Sequence, residues 1–392
     1  MLFYEVVRIK NKDMGINQEY YRKVVSGEDK TLLGGTLRVL LSGVELLYAP
    51  AVAVRNYLYD VQYMSVMRVD VPVISIGNLT MGGTGKTPLS CSLCQFLRRE
   101  LGNPAIISRG YKAKPGEYND EAKEVLRRLP GLIYVQNPDR STAAKELMKR
   151  PESVRPCVLV LDDGFQHRRM ARDFDIVLLD AQNPFGYERL CPRGFLRESV
   201  SGLKRADAVI LTRADSVSSD ERDRIHREVR RWNPSVFWAE AIHRPACWQT
   251  LSGEEQVLPE LSGRRAFAFC GLGNPAAFCK TVKQTGVAIA DFAAFPDHHL
   301  FTVEQARTIL DNAKSVQADV VVCSMKDFVK WPLSDQETAA VWGAEAPIRG
   351  LQIDFRFLPV ESVPQGVEAS RVDTSGVDFW YTLERAIRKE SV

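Results

Sequence analysis

Residues 71–97, VPVISIGNLTMGGTGKTPLSCSLCQFL, decide how the rest of the chain is read. Val71 to Ile76 is a short apolar run rich in β-branched residues, the pattern of a buried strand. A glycine-dense loop follows, Gly77-Asn78-Leu79-Thr80-Met81-Gly82-Gly83-Thr84-Gly85-Lys86-Thr87. Leu89, Leu93, Phe96 and Leu97 then continue at helical spacing. Strand, Gly-rich turn and helix form the context of a phosphate-binding loop. Glycines let successive N–H groups converge, and the helix N-terminus adds partial positive charge there. The spacing gives Lys86 the β- and γ-phosphates of a nucleotide and gives the Thr87 hydroxyl a Mg²⁺ ion. The nucleotide-binding stretch is therefore Thr80 to Thr87. Thr80 departs from the G-x-x-x-x-G-K-[ST] pattern, which has glycine there.

A phosphate-binding loop of this kind needs a carboxylate at the tip of a neighbouring strand. Val158 to Leu161 is an apolar run ending in Asp162-Asp163, and two adjacent carboxylates there favour a cation. Thr87, Asp162 and Asp163 are the expected metal residues. Further apolar runs at 105–108, 132–135, 176–179 and 208–212 alternate with helical patterns, such as the one opening at Ser141. That alternation predicts an α/β fold with a doubly wound, mainly parallel sheet. Its ligands bind at the C-terminal strand ends, where the loop, Asp162-Asp163 and Ser108-Arg109 all fall.

With 392 residues the chain is long enough for two domains. Four segments are expected: a membrane-association segment over 1–60, a core over 61–243, a linker or short hairpin over 244–264, and a smaller C-terminal α/β domain over 265–392. That domain starts with the run 266–270 and ends in a helix from Phe379, which can pack back on the core. The net charge of +3 gives no reason to expect a nucleic-acid partner. Eight scattered cysteines suit reduced thiols, and Cys91 and Cys94 read as core residues on the helix behind the loop.

The most hydrophobic stretch, Thr36 to Leu58, is interrupted by Glu45 and Pro50 and bracketed by Arg38 and Arg55. It falls short of ~20 uncharged apolar residues and reads as a helix lying in a membrane interface, with a buried core helix as the alternative. Tyr48, Tyr57, Tyr59 and Tyr63 suit an interfacial aromatic belt. The polar segment ahead of it, with Lys10, Lys12, Arg22 and Lys23, lacks a signal-peptide layout.

Two patterns compete with the nucleotide loop. Gly271-x-Gly273-x-x-Ala276, with Asp291 downstream, partly matches a dinucleotide fingerprint. Leu211-Thr212-Arg213-Ala214-Asp215 partly resembles the guanine-reading [NT]-K-x-D motif. A base for a hydroxyl acceptor could come from Asp120 with Glu121, from His167, or from Asp297-His298-His299.

Taken together, the chain resembles the tetraacyldisaccharide 4'-kinase family. The resemblance rests on SGE (26–28), PVISIGNLTMGGTGKTP (72–88), SRGY (108–111), NDE (119–121), NPDR (137–140), LDDGFQH (161–167), RRMARD (168–173), PRGFLRE (192–198), LKRADAVI (203–210), GLGNP (271–275), FPDHH (295–299) and KD (326–327). The family carries a small hydroxyl residue at the position of Thr80. The resemblance implies ATP and Mg²⁺ as cofactors and transfer of phosphate to the 4'-hydroxyl of a tetraacylated disaccharide 1-phosphate, giving lipid IVA. It implies Asp120 and His298 as the pair that activates the hydroxyl, with Lys86 as the third catalytic residue. Asp162 and Asp163 match the family's metal pair, and Glu121, Arg140, Gln166 and Arg197 are candidate substrate residues. It further implies a glycolipid substrate, a membrane surface as partner with no obligate protein partner, and peripheral or monotopic attachment to the cytoplasmic face of a bacterial inner membrane. NDE stands for the family's usual GDE, and SMKD (324–327) for its usual TEKD. The alternatives are a membrane-associated nucleotide switch that hydrolyses its nucleotide and a P-loop kinase of another sugar-like acceptor.

Overall fold

The computed structural model describes residues 18–359, other than 112, 115, 344 and 346, together with residues 376–388. The first 17 residues, with Lys10 and Lys12, lie outside them.

The expected strand–loop–helix is present. β1 (Val73–Asn78) is buried at every position, and α3 (Lys86–Glu100) follows the glycine loop. Two helices precede β1: α1 (Gln18–Ser26) and α2 (Leu32–Asp60). After α3 come β2 (Pro104–Ser108), α4 (Asp120–Arg128), β3 (Ile133–Gln136), α5 (Arg140–Met148), β4 (Val158–Asp162), β5 (Phe174–Asp180), β6 (Ala208–Thr212) and α6 (Ser219–Trp232). All the expected strands of this half are found, with bounds moved by at most two residues. β1 lies between β4 and β5, parallel to both, with Ile76 beside Asp162 and Ile74 beside Phe174. The glycine loop therefore leaves the sheet next to the Asp162 strand tip. Leu89, Leu93, Cys94 and Leu97 of α3 are buried against one face of the sheet. Ala143, Ala144 and Leu147 of α5 cover the other face. Burial pushes the Cys91 thiol up to about 12, so the C-x-x-C is a packing feature.

Residues 244–264, expected as a linker or short hairpin, carry the second half of a long strand and its hairpin partner. β7 (Phe237–Gln249) pairs parallel with β6 through residues 237–240, then antiparallel with β8 (Glu255–Val257) and β12 (Ile348–Phe357). Cys247, Trp248 and Gln249 are buried on it, which makes ordered strand more stable there than a solvated link. β9 (Arg265–Cys270), α7 (Pro275–Gln284), β10 (Ala288–Ala294), α8 (Val303–Ser315), β11 (Val320–Ser324), the short α9 (Met325–Phe328) and α10 (Asp335–Trp342) complete the second half. The strand order is β10-β9-β11-β12-β7-β6-β5-β1-β4-β2-β3, so one mainly parallel sheet runs through both halves. The last helix, α11 (Gly376–Arg388), returns to the first half, with Trp380 stacked on Phe96 at 4.8 Å and Phe379 buried beside Phe237.

α2 is a continuous 29-residue helix capped by Thr31, whose hydroxyl accepts the Gly34 N–H, and it continues through Pro50. The alternative of a buried core helix is ruled out. Only Gly34, Val52 and Tyr59 of α2 are buried, while Leu32 and Leu33, Val39 and Leu40, Leu46 and Leu47, and Val54 are all exposed. These recur every seven residues, so they form one apolar stripe along the helix. The helix is long and apolar enough to cross a membrane by composition. Two of the four tyrosines assigned to an aromatic belt point inward instead. Tyr59 is buried under the Arg168 guanidinium, and the Tyr48 hydroxyl donates to the Arg197 carbonyl.

Candidate functional site

The site is built on three supports around the C-terminal end of β1. The first is the glycine loop. Gly85 opens α3 with φ +83°, a conformation that glycine adopts without strain, and a Cβ there would collide with the His243 imidazole from β7. Lys86 Nζ lies 3.3 Å from Asn78 Oδ1 and 3.4 Å from Asp163 Oδ1. Asn78 in turn donates to the Thr80 carbonyl at 2.7 Å, which fixes the start of the loop. The Met81 N–H donates to the Phe195 carbonyl at 2.7 Å, and Arg197 N–H to the Leu79 carbonyl at 2.8 Å. Gly82 and Gly83 are exposed, Thr84 is buried, and Thr87 lies half-buried in the first turn of α3. Arg213, in the stretch that partly resembles a guanine-reading motif, braces this loop. It pairs with Asp180 and donates to the Gly83 carbonyl at 3.0 Å, while the Thr212 hydroxyl donates to the Thr84 carbonyl.

The second support is the tip of β4. Asp163, with φ +53°, accepts from Arg197 at 2.7 and 2.8 Å as well as facing Lys86. Burial works against its charge, but Lys86 and Arg197 outweigh burial and hold its carboxyl far below the usual range. Asp162 behaves oppositely. Burial, then the neighbouring Glu121 charge, raise it to about 7, and its Oδ1 is buried without a hydrogen-bond partner. Buried Arg140 balances this acidic pair electrostatically. Gln166 donates to the Asn78 carbonyl and to Glu198, both at 2.9 Å. Glu198 is fully buried and also accepts from Asn56 of α2 at 3.0 Å and Arg205 at 2.8 Å. His167, one of the candidate bases, sits among Arg140 and Arg172, and burial lowers it to about 4.

The third support spans the two halves. Asp120 opens α4 behind the Asn119 cap, and Asp120 Oδ2 lies 2.7 Å from His298 Nδ1. The Asp120 side chain is nearly buried, at 8% exposure. Burial opposes its ionisation, yet the His298 hydrogen bond and the Lys326 charge prevail and hold it down at about 2. His298 has φ +63°, and the loop around it is anchored on both sides. The Phe295 N–H donates to the Cys270 carbonyl at 2.8 Å, and His299 bonds to Gln305 at 3.0 Å. Lys326 of α9 lies 3.2 Å from His298 Nε2 and 3.3 Å from Asp297 Oδ1. α4 also docks the halves through Arg127, which donates to the Thr250 carbonyl at 2.6 Å, and Arg128, which donates to the Ile353 carbonyl at 2.8 Å.

Asp120 and His298, 178 positions apart, are thus brought together, as are Lys86, Asp163 and Arg197. Asp162 and Glu121 face each other electrostatically, and Arg140 and Gln166 lie behind the strand tip. At the glycine turn 271–273, the Gly271 N–H is already engaged, donating to buried Asp327 at 2.9 Å. Sequence reasoning left Lys326 without a role, although it stood in the KD pair. Glu198 closed the PRGFLRE block without a role of its own, and His243 carried no motif.

Donors for a metal come from two elements of the site. Among the described residues no group of three or more His, Cys, Asp or Glu side chains could hold an ion by itself. The orphaned, buried Asp162 Oδ1 with the Thr87 hydroxyl suits an ion whose other ligands are phosphate oxygens and water.

The model of the tetraacyldisaccharide-1-P 4'-kinase family matches residues 37–357. A tetraacyldisaccharide 4'-kinase of Halothermothrix orenii is 30% identical over 86% of this chain and 94% of its own. That of Anaeromyxobacter dehalogenans strain 2CP-C is 38% identical over 81% of this chain and 88% of its own. Among solved structures, LpxK from Aquifex aeolicus in complex with ATP superposes with a TM-score of 0.65 at 26% identity, covering 90% of this chain and 99% of that one. On this coverage, and with the loop, the strand-tip carboxylates and the Asp120–His298 pair assembled as described, the chain belongs to the tetraacyldisaccharide-1-P 4'-kinase family.

Proposed function

We propose that this protein transfers the γ-phosphate of ATP to the 4'-hydroxyl of tetraacyldisaccharide 1-phosphate, giving lipid IVA. Family membership supports the reaction, and one observation carries the mechanism: a nearly buried carboxylate, Asp120, held ionised 2.7 Å from His298. ATP lies along Thr80 to Thr87, with Lys86 on the β- and γ-phosphates. Thr87 and Asp162 would hold Mg²⁺, with Asp163 orienting Lys86 and Arg197 from beside them. When bound, the ion neutralises the charge that builds on the phosphate oxygens. Asp120 Oδ1, whose partner is the Glu121 N–H at 3.2 Å, accepts the hydroxyl proton as the acceptor oxygen bonds to the γ-phosphorus. The bond from that phosphorus to the bridging oxygen breaks, and its electron pair leaves on ADP. A carboxylate held near 2 is a weak base, which suffices where the transition state is loose and proton transfer is late. Glu121, Arg140, Gln166 and Arg197 line or support the acceptor side, and the arginines suit its 1-phosphate.

The apolar stripe of α2 rests in the membrane interface on the cytoplasmic face, where the acyl chains of the substrate also lie. The two halves act as two bodies, with the β7–β12 ribbon as their joint and the Asp120–His298 contact as their meeting point. Closure around ATP would exclude water and limit hydrolysis. No obligate protein partner is required. The test is incubation of the whole protein with γ-labelled ATP and the disaccharide lipid in mixed micelles. A kinase labels the lipid; a nucleotide switch labels only inorganic phosphate.

A further inference from the structure

The stretch 211–215 braces the glycine loop, but it does not say what meets the far end of a nucleotide held there. The strand order places that end. β1 sits between β4 and β5, and β6 and then β7 follow on the β5 side. Asp162 and Asp163 stand at the β4 tip, and Lys86 turns toward Asp163. The γ-phosphate of a nucleotide in the loop therefore faces β4, and its nucleoside faces the tips of β6 and β7. On that side the Thr212 hydroxyl donates to the Thr84 carbonyl at 3.0 Å, and Arg213 donates to the Gly83 carbonyl at 3.0 Å and pairs with Asp180. Both side chains are committed to holding the loop.

His243 is placed differently. It lies three residues past Glu240, the last β7 residue paired with β6, and faces Phe355 of β12. Its ring packs edge-on to Phe355, with centroids 6.3 Å apart. Cε1 and Nε2 lie against Gly85, so closely that a Cβ on Gly85 would overlap them. Gly85 precedes Lys86, so the imidazole meets the loop where α3 begins. Its Nε2 is buried without a hydrogen-bond partner. Burial, then the Arg213 charge, lower the imidazole to about 4, so it is neutral near pH 7 and offers one donor and one acceptor. The polar edge of adenine carries both an amino donor and ring-nitrogen acceptors, so either form of Nε2 has a match there. A buried polar atom left unpaired is destabilising, and a ligand that completes its hydrogen bond removes that cost. We propose that His243 contacts the adenine base of ATP, with Nε2 hydrogen-bonded to the polar edge of the ring. This rests on the nucleotide reading of the loop and deepens it: the loop grips the phosphates, and His243 gives the site its hold on the base.

The test is binding, measured on the full chain with Mg²⁺ and without lipid. Two probes are titrated by calorimetry. One is an ATP analogue with a non-hydrolysable imido bridge between its β- and γ-phosphorus. The other is inorganic tripolyphosphate, which has the phosphates and no base. His243→Phe keeps a ring against Gly85 and removes both nitrogens. It should raise Kd for the analogue by about 10-fold, while Kd for tripolyphosphate stays within about twofold of the parent. His243→Gln, which restores a donor and an acceptor, should recover part of the loss. An unchanged Kd for the analogue in His243→Phe overturns the proposal. An equal loss with both probes also overturns it, since the ring would then only shape Gly85. A parent that binds neither probe overturns the nucleotide reading itself, and the proposal with it.

Discussion

Replacing Asp120 by asparagine removes one negative charge and keeps the shape of the side chain. The native carboxyl is held from its ordinary 3.8 down to about 2, because the His298 hydrogen bond and Lys326 outweigh the cost of burial. At about 1.4 kcal/mol per pH unit, the folded state favours the charged form by about 2.5 kcal/mol, which bounds the loss of stability in the variant. The sign follows from the direction. The folded pKa lies below the unfolded one, so this contribution is fully present above about pH 4 and vanishes as pH falls through about 2. The gap in unfolding free energy between parent and Asp120→Asn should therefore be constant near neutrality and close in acid. Turnover should fall further, by about 10²- to 10⁴-fold, because a general base is lost. Urea titrations followed by tryptophan fluorescence give the first quantity, and lipid labelling at a temperature where both proteins are folded gives the second. Turnover within a factor of three of the parent would refute the assignment of Asp120 as base. A stability gap that widens in acid would refute the electrostatic account of the pair.

Other substitutions probe the remaining supports. Lys86→Ala removes the cation that faces Asn78 and Asp163 and should abolish measurable lipid labelling while the unfolding midpoint stays close to that of the parent. Gly85→Ala forces a Cβ into the His243 ring at a positive φ, so it should cost about 1–3 kcal/mol and weaken ATP binding, read by calorimetry. Glu198→Ala leaves the half-buried Arg205 and the Gln166 and Asn56 amides without their shared acceptor and should destabilise by about 3–5 kcal/mol. Leu40→Gln with Leu47→Gln alters two side chains that are 63% and 79% exposed, so stability should change by less than about 1 kcal/mol while flotation with anionic lipid vesicles falls sharply.

The first half of the fold was legible because its strands are short, β-branched and buried on both faces, so each stands out as an apolar run between turns. β1, β4 and β6 illustrate this. β7 was not read from the sequence at all. Its Arg244, Pro245 and Cys247 break any simple period, since its second half pairs antiparallel with β12 at one edge and β8 at the other. β10 was missed for a related reason: it is an edge strand, half-exposed, with no buried alternation. The glycine loop and the Asp162-Asp163 tip could be read locally, because their chemistry lies within one strand–turn unit. The contact between Asp120 and His298 could not, because it depends on how α4 docks on the second half, and only the family resemblance pointed to it. Lys326 stood in the KD block, but its surroundings lie far away in sequence. Asp297, His298 and Asp120 converge on it only in the folded chain. The tyrosines of α2 divide in the same way, since composition cannot distinguish Tyr59, buried beneath Arg168, from exposed Tyr57.

The central claim is phosphate transfer from ATP to a glycolipid hydroxyl at the junction of the two halves. Its most direct test is the fate of the γ-phosphate: incubate the whole protein with γ-labelled ATP, Mg²⁺ and tetraacyldisaccharide 1-phosphate, then separate and map the product. The account predicts label on the lipid at the 4'-position, dependent on Lys86 and Asp120. Label recovered only as inorganic phosphate, with the lipid unchanged, would contradict it.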